Sequence, residues 1–113
     1  MEKKPRRVKL EVDACDTLME GADMRALALS LSRGQSVPWH YHTEIAEIFF
    51  CLTGAIIVET RAPNIRHELA VGESCVVPAM TAHRVYSKDD AACRFLVLEG
   101  IGCYDSLPVG DSA

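Results

Sequence analysis

From Met24 to Leu98 the chain never runs far without a turn residue, and between turns its apolar residues tend to recur at every second position. A period of two marks a β-strand, because successive side chains point to opposite faces. Residues 24–32 put Leu27, Leu29 and Leu31 on one face and Ala26, Ala28 and Ser30 on the other, and Arg33-Gly34 ends the run. Ala and Leu would also suit a helix, so the alternation decides. Residues 37–42 read as a short strand. Residues 45–52 are apolar apart from Glu47, and Thr53-Gly54 turns them back into 55–60 as a hairpin. Short runs at 68–71, 74–77, 82–87 and 93–98 follow, separated by Gly72, Pro78 and Lys88-Asp89-Asp90. Near the start, 8–12 alternates apolar and charged residues, whereas 13–22 and the Gly- and Pro-containing tail read as irregular. No segment has the length and period of an ordinary helix. Many short strands broken by Gly and Pro predict an all-β single domain, a sandwich or barrel of jelly-roll type.

The 113 residues, 49% of them hydrophobic, suffice for one packed core without disulfide or metal staples. Formal charge is −4. Lys3, Lys4, Arg6 and Arg7 crowd the first seven residues, so the body of the chain is distinctly acidic. An acidic body does not suit a phosphate backbone, which argues against nucleic acid as a partner. The basic start reads as a flexible, solvated terminus over residues 1–7. No apolar run follows it and no segment approaches bilayer length, so neither a signal peptide nor a membrane span is expected. Five cysteines, odd in number and without a CxxC pair, read as reduced thiols in a cytoplasmic protein.

Chemistry concentrates in few residues. His40 and His42 are two apart, so on a strand both imidazoles share a face. Glu47 interrupts an apolar run, where a carboxylate is costly unless paired, hydrogen-bonded or metal-bound. His83 follows a second Gly–Pro turn. Three imidazoles and a carboxylate suit a first-row divalent metal. Other readings stay open at this level: surface histidines are common, and Glu47 could pair with Arg84 or Arg94. His67, between Arg66 and Glu68, reads as exposed.

Residues 34–54 carry Gly34, His40, His42, Glu47 and Gly54 at the spacing G(X)5HXH(X)3–4E(X)6G, which resembles the first cupin motif. Residues 72–87 carry Gly72, Pro78 and His83 and resemble the second, G(X)5PXG(X)2H(X)3N, with Met80 at its Gly and Ser87 at its Asn. The resemblance spans roughly residues 24 to 99. It implies a double-stranded β-helix, the cupin barrel, over 8–113. It also implies that His40, His42, Glu47 and His83 bind one divalent ion inside it, of Fe, Mn, Ni or Zn type. Met80 puts the shape of the second turn in doubt.

A centre of this kind implies a small metal-dependent enzyme, a dioxygenase, isomerase or lyase, acting on a small polar or anionic metabolite. The alternatives are a metal-dependent binding or sensing module without turnover, or a structural barrel. Strand parity turns Phe49, Cys51 and Val85 inward beside the ligands, with Phe95 a further pocket candidate, and turns Trp39 and Tyr41 outward. The pocket is expected to be mostly apolar and short of acids and bases. A homodimer is expected, because members of this family commonly pair, strand 8–12 offers an edge, and the outward apolar residues need cover.

Overall fold

The computed structural model describes residues 12–110. It contains ten strands and, among the described residues, no helix. They are β1 (Ala14–Glu20), β2 (Met24–Leu31), β3 (Ser36–Tyr41), β4 (Ala46–Thr53), β5 (Ala55–Thr60), β6 (Ile65–Ala70), β7 (Ser74–Val77), β8 (His83–Ser87), β9 (Cys93–Gly100) and β10 (Leu107–Pro108). Two five-stranded antiparallel sheets face each other, in the orders β1-β2-β9-β4-β7 and β10-β3-β8-β5-β6. Each motif contributes a strand to both sheets, and that arrangement brings residues far apart in sequence to one interior.

The alternation read from the sequence is what fills that interior. Leu27, Leu29 and Leu31 of β2, Phe49 and Cys51 of β4, Ile56 and Val58 of β5, Val85 of β8 and Cys93, Phe95 and Val97 of β9 form one buried cluster. On β9 the outward residues Arg94, Leu96 and Leu98 are more open than their inward neighbours, the pattern of a sheet with one wet face.

Three parts differ from the sequence reading. Segment 14–20, read as irregular, is strand β1. Nearly all of it is exposed, so packing imposes no apolar alternation on it. Pairing with β2, bulged between Thr17 and Met19, defines it instead. The tail also contains a strand, β10, paired with β3 at Tyr41 and His40. Strand β6 begins at Ile65, earlier than the polar Arg66-His67 pair suggests, and His67 is half-buried rather than exposed. The run at 8–11 lies outside the described residues, and Val12 packs against the core.

Trp39 stands apart from the inner cluster yet is only 7% exposed. Its cover comes from the same chain: the Arg61 guanidinium lies 3.8 Å and that of Arg84 5.3 Å from the ring centre. Stacked arginines bury an aromatic face while keeping their own charge wet. Arg84 also bonds Glu59 at 2.9 Å, and Glu59 accepts from the Tyr86 hydroxyl.

Gly54 closes the β4–β5 hairpin at φ 74°, and a Cβ there would come within 3.0 Å of the Ala92 carbonyl oxygen and 3.1 Å of Cys93 Cβ. Both the backbone conformation and the space require glycine at this motif position.

Candidate metal centre

Four side chains on three strands and one loop meet inside the barrel. His40 ends β3 and His42 follows it, Glu47 lies near the start of β4, and His83 opens β8. Each is at most 5% exposed. One potential ligand atom from each lies within 4.8 Å of all the others. His40 and His83 are directly opposed across the β3–β8 pair. A register shift between Val37 and His40 lets both of those residues face inward.

Every ring is aimed by a backbone carbonyl. Nδ1 of His40 lies 2.7 Å from Pro38 O, that of His42 2.5 Å from Asp105 O, and that of His83 2.8 Å from Thr81 O. Nδ1 therefore carries the proton and donates it, which assigns the tautomer and turns each Nε2 to the centre. There, Nε2 of His42 and His83 lie 3.0 and 2.7 Å from Glu47 Oε1. Glu47 thus meets histidines, not the arginines considered from sequence. Arg84 goes to Glu59 and Arg94 to Asp16.

The electrostatics follow from burial and crowding. Burial, reinforced by His83, lowers the pKa of His40 to about 4, so this imidazole is neutral at ordinary pH. Burial also opposes charge on His42, but the hydrogen bond and charge of Glu47 outweigh it and raise its pKa. Burial would raise Glu47, yet hydrogen bonds from Glu99, His42 and His83 hold it well below the usual carboxylate range. A buried carboxylate kept ionised among imidazoles with oriented Nε2 atoms fits a divalent cation.

Glu99 belongs to this centre and escaped the sequence reading. It lies opposite Glu47 across β4–β9. Burial, then the hydrogen bond and charge of Glu47, push its pKa up to about 8 against the pull of Arg25. The two carboxyl groups therefore titrate together, with Glu47 driven toward the ionised form and Glu99 toward the protonated one. Arg25 reaches Glu99 at 2.5 Å and lies 4.0 Å over the Tyr104 ring, and Tyr104 packs 5.4 Å from His42. The expectation of a pocket short of acids and bases is thus corrected. The signal was present: Glu99 continues the inward parity of 93, 95 and 97, and Arg25 that of 27, 29 and 31. Tyr104 and Asp105 sit in a tail without periodicity, which no pattern could have flagged.

Of the four pocket candidates, Phe49 and Phe95 line the inner cavity, about 80 Å3, with His40, His42 and Glu47. Cys51 and Val85 are fully buried in the core and do not line it. Cys51 donates its thiol to the Thr53 and Gly54 carbonyls.

Met80, at the motif's glycine position, adopts φ 64°, so the turn keeps a left-handed shape and leaves its side chain outside. Its N–H donates to the His42 carbonyl at 2.7 Å, tying the second motif to the first. Met80→Gly relieves that backbone strain at some cost in chain entropy. It should raise stability by about 0.5 kcal/mol, measured by urea unfolding. A loss of stability would show that the Met80 side chain contributes packing. Ser87, at the motif's asparagine position, accepts from the Ala91 N–H at 3.2 Å and steadies the 88–90 turn.

Fold and centre together define a double-stranded β-helix protein with a buried His-His-Glu-His cluster. The cupin domain family matches residues 29–99, and the chain belongs to that family. A double-stranded β-helix protein from Klebsiella pneumoniae superposes with a TM-score of 0.74 at 14% identity, covering 92% of this chain and 90% of that one. Oxalate decarboxylase from Lactobacillus farciminis gives 0.75 at 14% identity, over 93% of this chain and 33% of the other. The DMSP lyase DddQ from Ruegeria pomeroyi gives 0.65 at 22% identity, over 76% and 45%. At these identities the likeness is one of fold. No curated protein matches the sequence.

Proposed function

We propose that this chain is a small metal-dependent enzyme that binds one divalent ion on His40, His42, Glu47 and His83 and acts on a small polar or anionic metabolite. The observation that carries the reading is the set of three Nδ1–carbonyl bonds. They fix three rings with Nε2 toward one buried carboxylate, an arrangement with no evident packing purpose. A bound ion would supply Lewis acidity, or redox chemistry if it is iron. The protein's own residues do the rest. Phe49, Phe95 and Val97 exclude water from the inner cavity. Glu99 lies beside the centre within reach of Glu47, its carboxyl biased toward the protonated form, and Arg25 supplies positive charge. Similar folds serve a lyase and an oxalate decarboxylase, which supports metal-assisted bond cleavage in a small carboxylate.

The test is proton NMR of a mixture of small carboxylates incubated with protein loaded with Fe(II) in air, or with Zn or Mn. The expected result is time-dependent loss of at least one compound, absent with Glu47→Gln. Binding without turnover under every metal would reassign the chain as a sensing module.

We further propose a cytoplasmic location, on the odd, CxxC-free set of five cysteines in the sequence. Among the described residues no helix is long and apolar enough to cross a membrane. An apolar groove lined by Met19, Met24, Ile48, Val76, Leu98 and Ile101 runs along the outer face of the β1 sheet. Met19 and Ile101 are 76% and 72% exposed. Patches of this kind favour a partner, and a second copy of the chain is the proposed one. Light scattering after size exclusion should give twice the 12.4 kDa chain mass at micromolar concentration. Monomer mass alone would refute the dimer.

A further inference from the structure

Arg25 stands where two cavities meet. The inner one is lined by His40, His42 and Glu47 of the candidate metal centre. The outer one, about 430 Å3, opens between the 20–24 turn and the 102–104 segment. Arg25, Glu99 and Tyr104 line both, and so form the wall between them. The Arg25 side chain is 10% exposed. Its Nε donates to Glu99 at 2.5 Å and its face lies on Tyr104, whose ring in turn packs against His42. Among the described residues, Nε is the guanidinium atom that hydrogen-bonds to protein. A planar guanidinium pinned by one atom and one face keeps its two Nη groups for a bidentate carboxylate.

Outside this wall the charge reverses. Glu20 and Asp23 line the outer cavity and both are exposed. Glu44 borders it through the Cys103 N–H, at 3.4 Å. A dianion would bring its second charge against Glu20 and Asp23, while a simple monocarboxylate would leave them unanswered. The outer cavity is within the size range of small-metabolite sites. Resting on the metal-centre reading, we infer that the site takes a small zwitterion, with its carboxylate on Arg25 toward the metal and its cationic group at the Glu20 and Asp23 rim.

Calorimetry on zinc-loaded protein at low, fixed ionic strength tests this. The probes are trimethylglycine, whose quaternary nitrogen cannot ligate zinc, and 3,3-dimethylbutyrate, the same shape without the cationic charge. Trimethylglycine should bind about fivefold more tightly than 3,3-dimethylbutyrate. Arg25→Lys should weaken trimethylglycine about tenfold in protein that still loads zinc. The double variant Glu20→Gln with Asp23→Asn, exposed and harmless to folding, should erase the preference. 3,3-Dimethylbutyrate binding as tightly as trimethylglycine, a preference that survives the double variant, or no binding of either probe overturns the inference. Zinc is titrated first into each protein. Failure of the unmodified protein to bind zinc defeats the metal-centre reading, whereas normal zinc binding without the charge preference defeats this inference alone.

Discussion

Glu47→Gln should lower divalent-metal affinity by a factor on the order of a hundred or more while leaving the β-barrel folded. Loss of a residue that merely orients a ligand costs about 10- to 100-fold, and Glu47 would be a ligand itself. Glutamine keeps the volume and an acceptor oxygen but removes the one charge toward which Nε2 of His42 and His83 converge. Competition against a chelating dye measures the affinity, and circular dichroism checks the fold. The metal-free protein tells a second side of the same story. A buried carboxylate packed beside another carboxylate is a poor choice for stability alone. Removing Glu47 therefore separates function from folding: affinity should collapse, while the melting temperature of the metal-free form should change far less. Unchanged zinc binding by the variant would mean that the cluster is structural.

Metal loading should raise the melting temperature by about 10 °C at a hundredfold excess of free ion over its dissociation constant. That excess is worth about 2.7 kcal/mol, and a domain of this size shifts by about 4 °C for each kcal/mol. The gain should vanish on acidification. In the metal-free protein two histidines oppose each other. His40, lowered to about 4, contributes stability that is full above its unfolded value of about 6.5 and is lost as pH falls from there to about 4. His42, raised, contributes stability that is full below about 6.5 and is lost as pH rises through its folded value. The two act in adjacent windows, so their joint contribution to the metal-free protein peaks near pH 6.5 and the acid limb below it is set by His40. Bound metal requires all three rings without a proton on Nε2, so the loaded protein must exclude protons from His42 as well. The metal-dependent gain should therefore shrink as pH falls through the raised folded value of His42, until the two forms melt together. Parallel pH profiles for loaded and metal-free protein would contradict this.

Much of the fold was legible because burial imposes period two. Strands β2, β4 and β9 line the interior, and their inward residues repeat at every second position without interruption. Strand β1 was illegible for the converse reason. It lies at a sheet edge with almost nothing buried, so backbone pairing and not side-chain pattern specifies it. The cluster of His40, His42, Glu47 and His83 was visible through motif spacing. Its supporting shell was not. Pro38, Thr81 and Asp105 hold the rings through carbonyl oxygens, and a main-chain oxygen carries no residue signature. Glu99 and Arg25 could have been placed by extending strand parity to the ends of β9 and β2, where an acid and a base enter a run of apolar inward positions. The 101–106 segment offers no such handle, since its path over the barrel mouth is a tertiary property.

Met80 shows how far a motif can drift while its geometry holds. The turn needs a positive φ and the chain supplies one without glycine, because the side chain points to solvent and the N–H is anchored on His42. What the motif encodes is a backbone conformation, for which glycine is the easiest solution.

The most direct measurement is elemental analysis of untagged protein purified without added metal or chelator, beside a variant carrying His40→Ala and His83→Ala. The account predicts close to one transition-metal ion per chain in the unmodified protein and almost none in the variant. Equal, negligible metal in both, with no uptake when zinc or iron is offered to the unmodified protein, would contradict it.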